Sequence, residues 1–330
     1  MSALSIAVLA GGPSSEAAVS RVSAAAVKEA LQAAGHRTEV LELGADLAST
    51  LLAGTYDVAF PVTHGPLGED GCLQGLLEVL DLPYVGSGVL ASALAASKPH
   101  AKTIFERLHL PVAEQALVWR NDALEERARD IRAELGRAVV AKPASGGSAI
   151  GVTRIREGDA DAVLVEAMRQ ALLVDECVLV ERFLVGHEVT CGVLEEGERG
   201  AWALPVTLIL SQAADWYDFR SKYASGGSQH RCPAGFSEPV TSRIQELAVE
   251  AHRSLGARDL SRVDFVLGDD QDPQSITILE VNTLPGMTAT SLYPEAAAVA
   301  GIDFPTLCDR LARRALARPR RQVPEVVPMP

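Results

Sequence analysis

Ser261-Arg262-Val263-Asp264-Phe265-Val266-Leu267, followed across the connection Gly268–Ser275 by Ile276-Thr277-Ile278-Leu279-Glu280-Val281-Asn282, is the most informative stretch of the chain. The first run alternates apolar and polar residues with the period of two that a half-buried strand imposes, so Arg262 and Asp264 share one face. Glu280 and Asn282, two residues apart in the second run, share a face as well. The connection is rich in turn-forming residues, so the two strands read as a hairpin that gathers two carboxylates, a carboxamide and a guanidinium. This oxygen set suits Mg²⁺, which takes one or two carboxylates together with substrate phosphates and water. Taken alone, an ordinary solvated sheet face would account for the same residues.

The flanking sequence adds to that reading. Thr283-Leu284-Pro285-Gly286-Met287-Thr288-Ala289-Thr290-Ser291-Leu292 is a strand end running into a loop with a flexible glycine. Ser291 is expected to cap a helix beginning around Pro294, and a capped helix N-terminus is a ready site for a carboxylate or phosphate. Earlier in the chain, Lys142 ends the strand-like run Ala138–Ala141 and precedes Ser145-Gly146-Gly147-Ser148-Ala149-Ile150-Gly151. Three closely spaced glycines let backbone N–H groups approach an anion. No Gly-Lys-Ser or Gly-Lys-Thr closes the loop, so it is not a Walker A motif, and a plain flexible turn is the bland alternative. Lys98, with Pro99 in a first helical turn, is a further phosphate partner or else a surface lysine at a helix start. Gly86-Ser87-Gly88-Val89-Leu90-Ala91 imitates a dinucleotide-binding loop. The strand before it is only Pro83-Tyr84-Val85, however, and the acidic residue expected about 20 positions later falls on Glu106 within a helix.

The whole chain has 330 residues, 48% hydrophobic and 22% charged, which at roughly 100–200 residues per domain allows two or three packed units. Lys plus Arg number 30 against 43 Asp plus Glu, a formal charge of −13 without long blocks of one sign. A general nucleic-acid surface is therefore not expected. Cys72, Cys177, Cys191, Cys232 and Cys308 show no Cys-x-x-Cys spacing and read as single thiols in a reducing cytoplasm. The apolar run Ala3 to Ala10 lacks a positive leading region and ends in Gly11-Gly12, which reads as a buried first strand and not a signal peptide. No apolar stretch approaches the roughly 18 residues of a membrane helix, so neither a nucleic-acid nor a membrane partner is expected.

Leu4–Leu9, Asp57–Val62 and Tyr84-Val85 read as strands, with helices over Ser20–Ala33 and Gly71–Leu80 between them, an order that argues for a parallel sheet covered on both faces. A boundary is placed near Lys98, where a helix runs towards His109. A smaller α+β unit follows, with a helix over Ala160–Leu172 and the strand Cys177–Phe183. From Glu188 onward, Val189, Cys191 and Val193 share one face, as in an antiparallel sheet. The stretch 211–231 has little periodicity and reads as a long functional loop or a locally disordered one. The tail 319–330, with four prolines, is expected to fray.

Six ordered motifs bind these readings together: LAGGPSSEAAVS at 9–20, HGPLGEDGCLQGLLEVLDLPYVGSGVLASALAASK at 64–98, AKPASGGSAIGV at 141–152, VERFLVGHEVTCGVL at 180–194, YDFRSKY at 217–223, and RVDF with LEVNTLPGMTATSL at 262–265 and 279–292. From Val8 to about Leu311 the chain resembles the D-alanine–D-alanine ligases of the ATP-grasp superfamily. The resemblance implies a mixed α/β and α+β, three-domain ATP-grasp fold. It comprises an N-terminal Rossmann-like parallel-sheet domain at 1–97, a central small domain at 98–187, a C-terminal domain at 188–318 with a lid at 211–231, and a flexible tail at 319–330. The last two domains would sandwich ATP. The implied activity joins two D-alanines through an acyl phosphate for peptidoglycan synthesis in a bacterial cytoplasm, and relatives of this kind are usually homodimers.

Residue by residue, the resemblance assigns phosphate binding to Lys98, Lys142, Lys222 and the loop with Gly147 and Ser148. The adenine pocket would be bounded by Glu181, Phe183 and Leu184, and Glu188 would accept from the ribose hydroxyls. Asp264, Glu280 and Asn282 would hold two Mg²⁺ or Mn²⁺ ions. Glu16, in a hydrogen-bonded set with Ser148 and Tyr223 and with His64 nearby, would bind the first D-alanine. Arg262 and the Gly286 N–H would stabilise the oxyanion, and Ser291 with the Leu292 N–H would hold the second carboxylate. The chain departs from the family's usual pattern at Ala18, Ser97, Ala149 and Phe219. A ligase using D-lactate or D-serine second is the near alternative, against which Tyr223 counts. A non-catalytic nucleotide-binding regulator would lack the metal and oxyanion residues, which are present.

Overall fold

The computed structural model describes residues 2–148, 150–211, 228–288 and 290–319. Strand β1 (Ser5–Ala10), apolar on both faces, is the centre of a parallel sheet ordered β2 (Arg37–Glu42), β1, β3 (Val58–Pro61). Tyr84 extends it by a single parallel bridge to Ala59. Helices α1 (Ala17–Ala33), α2 (Leu47–Ala53), α3 (Cys72–Val79) and α4 (Val89–Ala96) accompany this sheet. Helix α1 begins three residues before the Ser20 start expected from composition, which sets Glu16 at its N-cap position. Strand β2 escaped the sequence reading because it is an exposed edge. Only Leu41 of its residues is buried, so no apolar run marks it.

Helix α5 (Lys98–Arg107) opens the middle of the chain, with Pro99 in its first turn. Strands β4 (Gln115–Trp119), β5 (Val139–Pro143), β6 (Thr153–Ile155) and β7 (Cys177–Arg182) form an antiparallel sheet in the order β4-β7-β5-β6. Helices α6 (Leu124–Leu135) and α7 (Asp161–Ala171) pack on it, closing a core of Val118, Ile131, Val139, Leu164, Met168 and Val180.

The remaining sheet contains β8 (His187–Glu196), β9 (Gly200–Ala203), β10 (Thr207–Ser211), β11 (Ser228–Arg231), β12 (Leu260–Leu267) and β13 (Ile276–Asn282). Its order is β11-β10-β8-β12-β13, with β9 paired to β8. The irregular reading of 211–231 is corrected at both ends: β10 and β11 pair antiparallel, with Ser211 opposite Ser228. The intervening residues, including Phe219, Lys222 and Tyr223, lie outside the described residues, as does the tail from 320 onward. Helices α8 (Glu238–Ser254), α9 (Leu292–Val299) and α10 (Phe304–Ala317) complete the chain. Ile6, Val8 and Phe60 of the parallel sheet share one core with Leu194, Leu260, Tyr293, Leu307 and Leu311. The two ends of the chain are therefore fused through common packing, whereas the middle sheet keeps a core of its own. Among the described residues no helix is long and apolar enough to cross a membrane.

Candidate active site

The β12–β13 hairpin is present, and its register sets Asp264 opposite Glu280 and Arg262 opposite Asn282. Leu279 is skipped in the pairing, a bulge of the kind that re-aims side chains beside active sites. Arg262 donates to both oxygens of Asp264, Nε to Oδ1 and Nη2 to Oδ2, each at 2.8 Å. Thr190, opposite Asp264 on β8, donates its hydroxyl to Oδ1 at 2.6 Å. Thr190 was missed in the sequence reading, although alternation with Val189 and Cys191 places it on the polar face beside Glu188. Glu280 Oε2 lies 3.2 Å from Lys98 Nζ, so each hairpin carboxylate already draws a cation. Asn282 Oδ1 accepts from the Leu284 N–H at 2.9 Å and closes the turn that leaves the strand.

The opposing wall rises from the middle sheet. Lys142 of β5 forms an ion pair with Glu181 of β7, which is buried. The glycine loop is tied to the start of α5: the Lys98 N–H donates to Ala144 O at 3.0 Å, and Lys98 Nζ donates to Gly146 O. Gly146 has a φ of 95°, left-handed backbone that favours glycine. Ser148 is also left-handed and donates its hydroxyl to Glu16 Oε1 across 132 residues of sequence. This bond joins the loop to the N-terminus of α1. His64 is buried beside Glu69, whose Oε1 accepts from the Gly65 N–H at 2.8 Å. On the far side, the Arg154 guanidinium lies 3.8 Å over the Phe183 ring, a cation–π contact that no sequence signal announced.

Ser291 takes a different part from the one expected. Helix α9 begins at Leu292, earlier than Pro294, and Ser291 occupies the N-cap position without bonding to the helix. Its Oγ accepts instead from the Thr288 N–H at 3.1 Å and meets Thr288 Oγ1 at 2.7 Å. Pro294 falls in the first turn, where its missing N–H goes unnoticed. Gly286 must be small because a Cβ there would stand 2.9 Å from Ser291 Oγ.

Both walls face one cleft of about 1310 Å³, larger than a single amino acid needs. Glu16, His64, Lys98, Lys142, Gly147, Ser148, Glu181, Phe183, Leu184, Glu188, Arg262, Asp264, Glu280, Asn282, Gly286, Ser291 and Leu292 all line it. Lys222 and Tyr223 lie outside the described residues. Among the described residues no three His, Cys, Asp or Glu side chains form a metal cage of their own. Two facing carboxylates and a carboxamide are hard oxygen donors, the sparse protein set that Mg²⁺ accepts when phosphates and water complete its shell. The residues fit such an ion bound together with a nucleotide.

The D-ala D-ala ligase C-terminus family pattern matches residues 104–313, and the D-ala D-ala ligase N-terminus pattern matches residues 37–87. The D-alanine–D-alanine ligase of Desulforamulus reducens is 45% identical over 319 residues, covering 95% of this chain and 99% of the relative. That of Gluconobacter oxydans is 44% identical, covering 96% and 100%. Among solved structures, the Bacillus anthracis D-alanine–D-alanine ligase complexed with ATP superposes with a TM-score of 0.79 at 27% identity, covering 95% of this chain and 98% of that one. The Coxiella burnetii D-alanine–D-alanine ligase gives 0.79 at 26% identity, covering 95% of each chain. Pattern, identity and superposition agree over nearly the full length: the chain belongs to the D-alanine–D-alanine ligase family.

Proposed function

We propose that this chain is the ATP-dependent ligase that forms D-alanyl-D-alanine through an acyl phosphate, and that it does so as a homodimer supplying peptidoglycan synthesis in a bacterial cytoplasm. One observation carries the reading: a single cleft holds the Glu16–Ser148 pair, the lysines with their glycine loop, and the oxygen donors of the hairpin. The working units are the N-terminal domain 1–97, the central domain 98–187 and the C-terminal domain 188–318.

A carboxylate is a poor electrophile because its charge is shared over both oxygens. Transfer of the ATP γ-phosphoryl group to the first D-alanine breaks the bond to ADP, forms one to a carboxylate oxygen, and provides a leaving group. Lys98, Lys142 and the N–H groups around Gly147 and Ser148 bind the phosphates and withdraw charge from them. Asp264, Glu280 and Asn282 would hold two Mg²⁺ or Mn²⁺ ions, which when bound neutralise the triphosphate and orient its terminal phosphate. Glu16, held by Ser148 and flanked by His64, accepts from the ammonium of the first D-alanine. Glu181, Phe183 and Leu184 bound the adenine, and Glu188 accepts from the ribose hydroxyls. Lys222 and Tyr223 are assigned to the phosphates and to the Glu16 set by resemblance alone.

The second D-alanine, its carboxylate held by Ser291 and the Leu292 N–H at the start of α9, sheds a proton and attacks through its neutral amine. A C–N bond forms, the C–O bond to phosphate breaks, and inorganic phosphate leaves. Arg262 and the Gly286 N–H stabilise the oxyanion that develops between those events. Incubating purified protein with ATP, Mg²⁺ and D-alanine tests the proposal. The expected result is D-alanine-dependent phosphate release with a product of the mass of D-alanyl-D-alanine. Absence of such release refutes it, and an ester formed preferentially with D-lactate would reassign the second substrate.

A further inference from the structure

Lys102 has no part in the roles set out above, yet it is 1% exposed and stands behind the nucleotide side of the cleft. It lies one turn after Lys98 on α5, the spacing that puts two side chains on one helix side. Its ammonium pairs with Glu181 Oε1, while Lys142 pairs with Oε2 of the same carboxylate. Glu181 is 4% exposed, so the three charges form a buried group assembled from α5, β5 and β7. Lys98 reaches Glu280 on β13, so helix α5 carries one ammonium to each wall of the cleft.

Burial of such a lysine is costly: desolvation, the largest influence on it, pushes its pKa down to about 8. An apolar side chain of similar length would fill the space without that cost, so packing alone does not explain the charge. The charge balance does. Two lysines on the Glu181 carboxylate leave those three groups at +1, where Lys142 with Glu181 alone would sum to zero; Glu106, Lys98 and Glu280 also act on Lys102 from around the group.

We propose that Lys102 is a positioning residue for ATP: it engages one oxygen of Glu181, fixes that carboxylate, and leaves Lys142 with a net positive field directed at the nucleotide phosphates. The inference rests on the reading of the cleft as an ATP site. The test is the affinity of the full chain for ATP with Mg²⁺, measured by calorimetry for the unaltered protein, Lys102→Met, Glu181→Gln and the double variant. Lys102→Met is expected to weaken ATP binding about tenfold, as loss of one partner in a buried charge group would. It should leave the KM for D-alanine unchanged, and it should add nothing further once Glu181 is Gln. A merely structural lysine would lower the melting temperature without this coupling. Equal ATP affinity in Lys102→Met, or a full penalty persisting in the Glu181→Gln background, overturns the proposal. If the unaltered protein binds no ATP, the reading of the site itself has failed. Should Lys102→Met not fold, Lys102→Arg decides: retained charge should keep affinity within about threefold, and a tenfold loss at unchanged melting temperature contradicts the proposal.

Discussion

The Asp264–Glu280 hairpin stands on a sheet whose apolar face, with Val263, Phe265, Ile278 and Val281, packs against α8 and Phe105 of α5, while Leu194 and Leu260 at its strand ends join the core of β1, α1 and α10. The Lys142–Glu181 wall, by contrast, stands on a sheet with its own separate core. The first wall is further tied by a charged seam. Asp259, fully buried, accepts from the Gly86 N–H at 2.8 Å and from Arg314 Nε at 3.1 Å, and it also pairs with Arg318. Among the described residues the second wall meets the first through links that include Ser148 to Glu16, Lys98 to Gly146 and Ala144, and the Ile278 N–H to Pro111 O at 2.8 Å. One wall therefore holds oxygen donors on a sheet backed by α8 and α5 and joined at its strand ends to the core of both chain ends, and the other presents cations on a sheet with its own core. An enzyme that must enclose a nucleotide and exclude water from an acyl phosphate is served by such a division.

The largest effect should come from the hairpin's chemistry. Glu280→Gln keeps the shape and removes the charge that pairs with Lys98 and that the loaded site would use to hold a metal ion. Turnover should fall about a thousandfold, the scale of losing a central electrostatic contact, while the melting temperature hardly moves. An unaltered kcat would refute the metal-holding role of Glu280.

Cavities sharpen the contrast between the two cores. Leu311→Ala in the shared core should cost about 3 kcal/mol and lower hydrogen-exchange protection in both the parallel sheet and β12. Ile131→Ala should cost a similar amount, but with the loss of protection confined to the segment from β4 to β7. Loss spread over the whole chain in both variants would mean that the two walls unfold as one.

The smallest effect is a matter of pH, and both groups should raise stability as pH rises, Glu195 in an acidic window and Lys102 in an alkaline one. Glu195 of the first body, bonded to the His252 ring, the Asp259 N–H and Arg314, has its pKa lowered from 4.5 to about 2. Its stabilisation is complete above pH 4.5 and is lost as pH falls towards 2. Lys102 has a folded pKa near 8 against 10.5 in the open, so its burial cost is relieved as pH rises through that window. Melting temperatures of Glu195→Gln and the unaltered protein should therefore converge at low pH and separate above it. Parallel curves throughout would count against the assignment.

Much of this division is invisible in sequence for physical reasons. The hairpin is legible because alternation alone tells which residues share its polar face. The glycine loop is legible because close spacing of glycines has few other uses. The shared core is not, since it depends on α10 reaching back to α1, a contact between chain ends that no local pattern encodes. Nor is Lys102 legible as a buried charge, because Lys-Pro-His-Ala-Lys reads as an ordinary helix start until Glu181 arrives from β7. The hydroxyl of Ser291 turned away from its helix for a similarly local reason, because Thr288 offered a nearer partner.

If the two walls enclose a transfer of phosphate onto the first D-alanine, that transfer precedes peptide-bond formation. It is tested most directly by supplying D-alanine labelled with ¹⁸O in its carboxylate and analysing the released phosphate by mass spectrometry. One labelled oxygen is expected in each phosphate formed, since the carboxylate oxygen that takes the phosphoryl group departs with it. Unlabelled phosphate accompanying labelled D-alanyl-D-alanine would contradict it.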